Sequence, residues 1–167
     1  MLRVTKLCDY AIVVLTEMAR QAAPASIEGP AFAARDIAEM TGVPQPTVSK
    51  VLKQLVRARL LESRRGVNGG YRLARAPETI TIADVISAIE GPIALTECAF
   101  ESPNTCEREE CCRVAVNWQR ISDAVRRALA GITIADMTRP LPVPPLEGLE
   151  ERDPSLVVIG DHGATVP

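Results

Sequence analysis

The chain has 167 residues, 47% of them hydrophobic but only 3% aromatic, and a formal net charge of −2. That length suits one ordinary domain with appendages, and its core must be built from Leu, Ile, Val and Ala. No apolar run approaches the ~18 residues of a membrane span, and five cysteines, four of them crowded into one segment, do not make a secreted disulfide scaffold.

Residues 5–21 read as a helix with Leu7, Ala11, Val14, Leu15 and Met18 on one face. Its apolar run, YAIVVL, is flanked by Asp9 and Glu17, and no small-residue cleavage site follows. A mature helix in a reducing cytoplasm is therefore expected rather than a signal peptide. The stretch 21–32 reads as a loop broken by Pro24, Gly29 and Pro30. AARDIAEMTGV (33–43) gives a short helix stopped by Gly42. Pro46 suits the first turn of the next helix, PTVSKVLKQLVRARL, with Val48, Val51, Leu52 and Leu55 facing inward. Two extended runs follow, LLESRR and GYRLAR, and Asn68-Gly69 between them predicts a hairpin.

Thr81 and Asp84 have the spacing of a capping box for a helix over 81–91, ended by Gly91 and Pro92. After a cysteine-bearing stretch, a long helix is predicted from about Cys112 to Ala130. On it Val114, Trp118, Ile121, Val125 and Leu129, with Ile132 beyond, form a seam suited to another helix. TIAD recurs at 133–136 as a second capping box, too short to define an internal repeat. From Arg139 onward six of the thirteen prolines accumulate, and a mostly disordered tail is expected.

Two helices, a glycine-containing turn and a hairpin make a winged helix-turn-helix, so the expected class is mainly α, with a long C-terminal dimerisation helix. Charge agrees. From Pro44 to Ala76 there are eight cationic side chains (Lys50, Lys53, Arg57, Arg59, Arg64, Arg65, Arg72 and Arg75) against Glu62 alone. Such segregation in a chain of net charge −2 marks a surface that meets phosphate. Gln45, Thr47, Ser49, Lys50 and Lys53 fall on the helix that enters the major groove in this motif. Arg64 and Arg65 stand at the wing, where arginine can enter a narrow minor groove, and Gly66, Gly69 and Gly70 allow a tight tip.

The segment ECAFESPNTCEREECC (97–112) holds Cys98, Cys106, Cys111 and Cys112. Zinc favours C-x2-C pairs, which are missing here; an iron–sulfur cluster tolerates wider, irregular spacing. Glu101, Glu107, Glu109 and Glu110 would raise nearby thiol pKa values and disfavour empty thiolates. A cluster, a zinc ion and a thiol switch all remain open on spacing alone. An enzyme is not expected: the one histidine, His162, lies in the tail, and no acid–base constellation or phosphate loop is evident.

The stretches TKLCDYAIVVLTEMA, VPQPTVSKVLKQLVRARLLESRRGVNGGYRLAR, TIADVISAIEGPIALTEC and CCRVAVNWQRISDAVRRALAGITIADM together resemble the Rrf2 family of bacterial regulators. The resemblance covers about residues 1–138 and includes the RG-x2-GGY-x-L wing with Tyr71. Within the family, which includes IscR and NsrR types, EGPIALTEC and NWQRI look most like the SUF-system branch, which controls iron–sulfur assembly. The resemblance implies a homodimer, paired through the helix around Trp118, on a pseudo-palindromic double-stranded operator. It implies an iron–sulfur cluster held by Cys98, Cys106 and Cys112, with 2Fe–2S preferred to 4Fe–4S and Cys111 an extra thiol. The IscR type has a histidine three residues after its third cysteine; here that position is Ala115. Asp9 becomes the candidate fourth ligand, and Cys8 a buried small hydrophobe. The implied organisation is a DNA-binding domain (1–91), a cluster-binding loop (92–112), a dimerisation helix (113–138) and a Pro-rich tail (139–167). The implied role is a cytoplasmic, cluster-dependent repressor of iron–sulfur assembly genes.

Overall fold

The structure, a computed structural model, describes residues 4–21, 30–66, 69–96 and 114–139. Asn68, the four clustered cysteines and the tail with His162 lie outside the described residues. The described elements are α1 (Lys6–Gln21), α2 (Ala34–Thr41), α3 (Gln45–Arg57), β1 (Leu61–Arg64), β2 (Gly70–Leu73), a short 3-10 turn (Pro77–Thr79), α4 (Ile82–Glu90), α5 (Ala115–Ala130) and α6 (Ile134–Thr138). The winged helix-turn-helix expected from sequence is the observed fold. Among the described residues no helix is long and apolar enough to cross a membrane.

Helix α1 is the hub. Cys8, Ala11, Val14, Leu15 and Met18 repeat at helical spacing and are buried, and α1 packs against α2, α3, α4 and α6. Helix α2 ends where Gly42 adopts φ 68° and donates its N–H to the Ala38 carbonyl, a left-handed stop that glycine accepts without a Cβ clash. Helix α3 buries Val48, Val51, Leu52 and Leu55. It stops at Arg57, three residues short of the sequence expectation. Arg59 turns to φ 57° and the Leu60 N–H returns to the Leu55 carbonyl at 2.9 Å. This exit swings Leu60 and Leu61 into the core as β1 begins.

The strands pair antiparallel in the register Leu61↔Leu73, Glu62↔Arg72, Ser63↔Tyr71 and Arg64↔Gly70. A third segment joins the other edge of β2: Phe32 and Tyr71 exchange both backbone hydrogen bonds, at 2.9 and 2.8 Å. Gly70 permits this approach. It has φ 148°, and a Cβ there would sit 2.6 Å from the Phe32 carbonyl oxygen.

Both capping boxes form, Thr81 with Asp84 and Thr133 with Asp136. Helix α6 falls within the segment read as dimerisation helix, yet it returns to the first domain. It packs on α1, Ile134 is fully buried in the core, and Thr133 forms a β-bridge with Thr81. The hydroxyl and amide of Thr133 hold the Asp136 carboxyl below the usual carboxylate range.

Candidate nucleic-acid interface and metal site

Gln45, Ser49, Lys53 and Arg57 follow one another four residues apart, a single stripe along α3. Gln45, Lys53, Arg57 and neighbouring Lys50 are exposed, whereas Ser49 is half-buried. Thr47 is also half-buried, lies off this stripe toward Val48, and uses its N–H on the Pro44 carbonyl at 2.9 Å. Arg57, which extends the stripe, had entered the sequence reading only through the charge count.

On the wing, Arg64, Arg65 and Gly66 are exposed. Tyr71 is not at the tip: it is half-buried against the core, and its backbone makes the bridge to Phe32. The eight cations separate into two groups. The Arg72 side chain is only 15% exposed and donates Nε and Nη2 to Glu62 Oε2 at 3.1 and 2.8 Å. Arg75 Nη2 pairs with Asp84 Oδ2 at 3.2 Å. Lys50, Lys53, Arg57, Arg59, Arg64 and Arg65 remain exposed, with no acidic partner among the described residues. They form the electrostatic surface that phosphate would meet.

The candidate ligands divide as well. Asp9 lies exposed on the first turn of α1, its carboxylate without a partner among the described residues. Cys8 beside it is fully buried, and its thiol pKa is pushed up from 9.0 to about 12, first by burial and then by the charge and hydrogen bond of Glu90. Packed in the core with no exposed surface, Cys8 is placed as a small hydrophobe. Among the described residues no three His, Cys, Asp or Glu side chains converge on a metal site. Cys98, Cys106 and Cys112 lie outside them, between Thr96 and Val114.

Helix α5 presents two rows. Ala115 and Ser122 are buried, Leu129 packs half-buried against the core, and Ser122 Oγ accepts the Leu95 N–H at 3.1 Å. Val114, Trp118 and Ile121 stay 50, 38 and 45% exposed, and Val125 is half-buried. Leu129, grouped by sequence with the intermolecular seam, thus faces its own core.

A helix-turn-helix with a basic, glycine-tipped wing defines a winged-helix DNA-binding protein. The chain belongs to the Rrf2 family, whose pattern, described as an iron-dependent transcriptional regulator, matches residues 4–140. It is similar to the HTH-type transcriptional regulator CymR of Bacillus subtilis, 31% identical over 77% of this chain and 83% of that protein. It is also similar to the HTH-type transcriptional regulator IscR of Erwinia tasmaniensis, 29% identical over 81% of this chain and 78% of that protein. Among solved structures, B. subtilis CymR, described as the global cysteine regulator, has a TM-score of 0.61 at 30% identity, covering 83% of this chain and 97% of that one. T. potens IscR has a TM-score of 0.58 at 27% identity, covering 81% and 85%. The protein is a transcriptional regulator, not an enzyme.

Sequence reasoning missed Phe32 and the return of α6. A single bridging residue in a loop has no periodicity to reveal it, and the second TIAD was a signal without a visible partner.

Proposed function

We propose that this regulator is an iron–sulfur-dependent repressor of cluster-assembly genes of the SUF type, acting in the cytoplasm as a homodimer on a pseudo-palindromic operator. The observation that carries the reading is the iron-dependent family assignment of a chain with three spaced thiols in one segment. The donor chemistry fits. Cys98, Cys106 and Cys112 would supply three thiolates, and the free carboxylate of Asp9, from the same or the partner subunit, would supply the fourth ligand. Cys8 does not join them. When bound, an iron–sulfur centre supplies an oxidant-labile group, 2Fe–2S in this reading, whose presence reports iron and redox state.

The chain's own residues would do the rest. Gln45, Ser49, Lys50 and Lys53 would face the major groove, with Thr47 on the flank. Arg64, Arg65 and Gly66 would meet the adjacent backbone or minor groove, and Tyr71 would keep the wing on the domain. The exposed row of Val114, Trp118 and Ile121, with Val125 at its edge, is the apolar surface a second copy would cover.

Anaerobic purification followed by a visible spectrum and iron, sulfide and zinc analysis on one sample tests this. A brown protein with sulfide matching iron, bleached by Cys98→Ala, Cys106→Ala or Cys112→Ala, is expected. The second reading is a winged-helix regulator sensing thiol redox state, zinc or nitric oxide through the same cysteines; the family also holds CymR, described as a global cysteine regulator, so membership alone does not decide for a cluster. A colourless protein containing zinc or no metal would favour that reading.

A further inference from the structure

The repeated stretch is one residue longer than TIAD: residues 80–84 and 132–136 both read ITIAD. In the fold the two copies face each other around a local twofold. The Ile82 N–H donates to the Ile132 carbonyl at 2.9 Å, and the equivalent Ile134 N–H donates to the Ile80 carbonyl at 2.8 Å. Each copy then starts a helix with the same box. Asp84 Oδ2 accepts the Thr81 N–H at 3.1 Å, and Asp136 Oδ2 accepts the Thr133 N–H at 2.9 Å and its hydroxyl at 2.7 Å.

The symmetry breaks at the arginines. Asp136 pairs with Arg139, the residue that follows its own helix, at 3.4 Å, whereas Asp84 takes Arg75, two residues beyond β2, at 3.2 Å. The wing's return leg has little slack. The Ala74 N–H is bonded to the Leu60 carbonyl at 3.0 Å, Pro77 opens the 3-10 turn, and Ile80 is fully buried. A shift of residues 132–134 against residues 80–82 would therefore move the anchor of Arg75.

We propose that the paired ITIAD segments are the joint through which the C-terminal helices position the wing on DNA, with Thr133, Asp84 and Arg75 as its positioning residues. The inference rests on the reading that Arg64 and Arg65 contact DNA. It makes Asp84 a carboxylate that strengthens DNA binding, the opposite of what charge alone predicts.

The test is operator affinity over a salt series for Asp84→Asn, Thr133→Val, the double variant, Thr133→Ser and Arg65→Ala. Folding is checked by circular dichroism, and wing amide exchange is followed without DNA. Asn keeps the capping oxygen but drops the charge that holds Arg75. Asp84→Asn and Thr133→Val should each weaken binding about fivefold or more and lower the salt slope by about one. The double variant should be no worse than either alone, Thr133→Ser should behave as wild type, and wing exchange should quicken in both weakened variants. Additive losses in the double variant would overturn the joint, and so would tighter binding by Asp84→Asn, which stands even if Thr133→Val fails to fold. An unchanged salt slope in Arg65→Ala would instead remove the wing contact itself, and the joint's role with it. A lowered slope there with wild-type behaviour in Asp84→Asn would overturn the joint alone.

Discussion

Glu90, the last residue of α4, accepts the backbone N–H of Thr5 at 2.9 Å across 85 positions of sequence. It supplies from a distance the acceptor that the start of α1 needs, while Thr5 Oγ1 accepts the Cys8 N–H at 3.3 Å. Glu90→Ala should lower unfolding stability by about 1 kcal/mol, the usual cost of losing a cap. Urea denaturation measures this, and the loss should shrink in Glu90→Gln, which keeps an oxygen acceptor.

Cys8 should give the protein an alkaline limit. Its thiol would ionise near 9.0 in the unfolded chain but only near 12 in the fold. Because the folded value is raised, this contribution to stability is complete below the first value and is lost as pH rises toward the second. Over that window Cys8→Ala should show a shallower loss of stability than wild type. Cys8 should also react with a maleimide only after denaturation, read by peptide mass mapping.

Gly70→Ala should loosen the wing. The new methyl would meet the Phe32 carbonyl at 2.6 Å in a backbone conformation that disfavours any side chain. A cost of about 1–3 kcal/mol is expected, with faster hydrogen exchange at the Phe32 and Tyr71 amides and weaker operator binding. Gly42→Ala, where no neighbour lies within 4 Å of a new Cβ, tests conformational strain without a clash.

The two groups of cations should differ in salt titrations. Arg65→Ala should reduce the dependence of log K on log salt by about 0.9. Arg72→Gln, which breaks a pair with Glu62, should leave that slope nearly unchanged and act on wing stability. Gln45→Ala should shift operator preference, by about 1–3 kcal/mol at the base it reads. Equal slopes for Arg65→Ala and Arg72→Gln would merge the two groups.

Ile134→Ala should cost about 2–5 kcal/mol, the range for truncating a fully buried aliphatic side chain. A fragment ending at residue 91 should be destabilised more, since it also loses the backbone hydrogen bonds that join Ile80 and Ile82 to Ile134 and Ile132. Thermal denaturation of the two proteins provides the comparison.

Elements bounded by local chemistry were legible in the sequence. Thr81, Asp84 and Gly91 delimit α4 as expected, and Gly42 ends α2 through its left-handed geometry. Helix α3 was overextended because Leu60 continues an apolar pattern that serves equally well for a strand entering the core. Nothing local announces that Arg59, rather than a glycine, will take the left-handed turn. The charge of the basic region was visible, but its division was not: whether an arginine is free depends on Glu62 across the hairpin and Asp84 on another helix. The cysteines could be recognised by type and spacing, whereas a shared metal is a matter of three-dimensional convergence.

The burial of Ile134 also bears on how the protein is made. A ribosome releases the recognition helix and wing early, yet the core beneath them stays open until α6 emerges. The four clustered cysteines precede α6 in the chain and so leave the ribosome before that core can close. The piece of the core that Ile134 supplies is thus set in place only after the helix-turn-helix and the wing have been made.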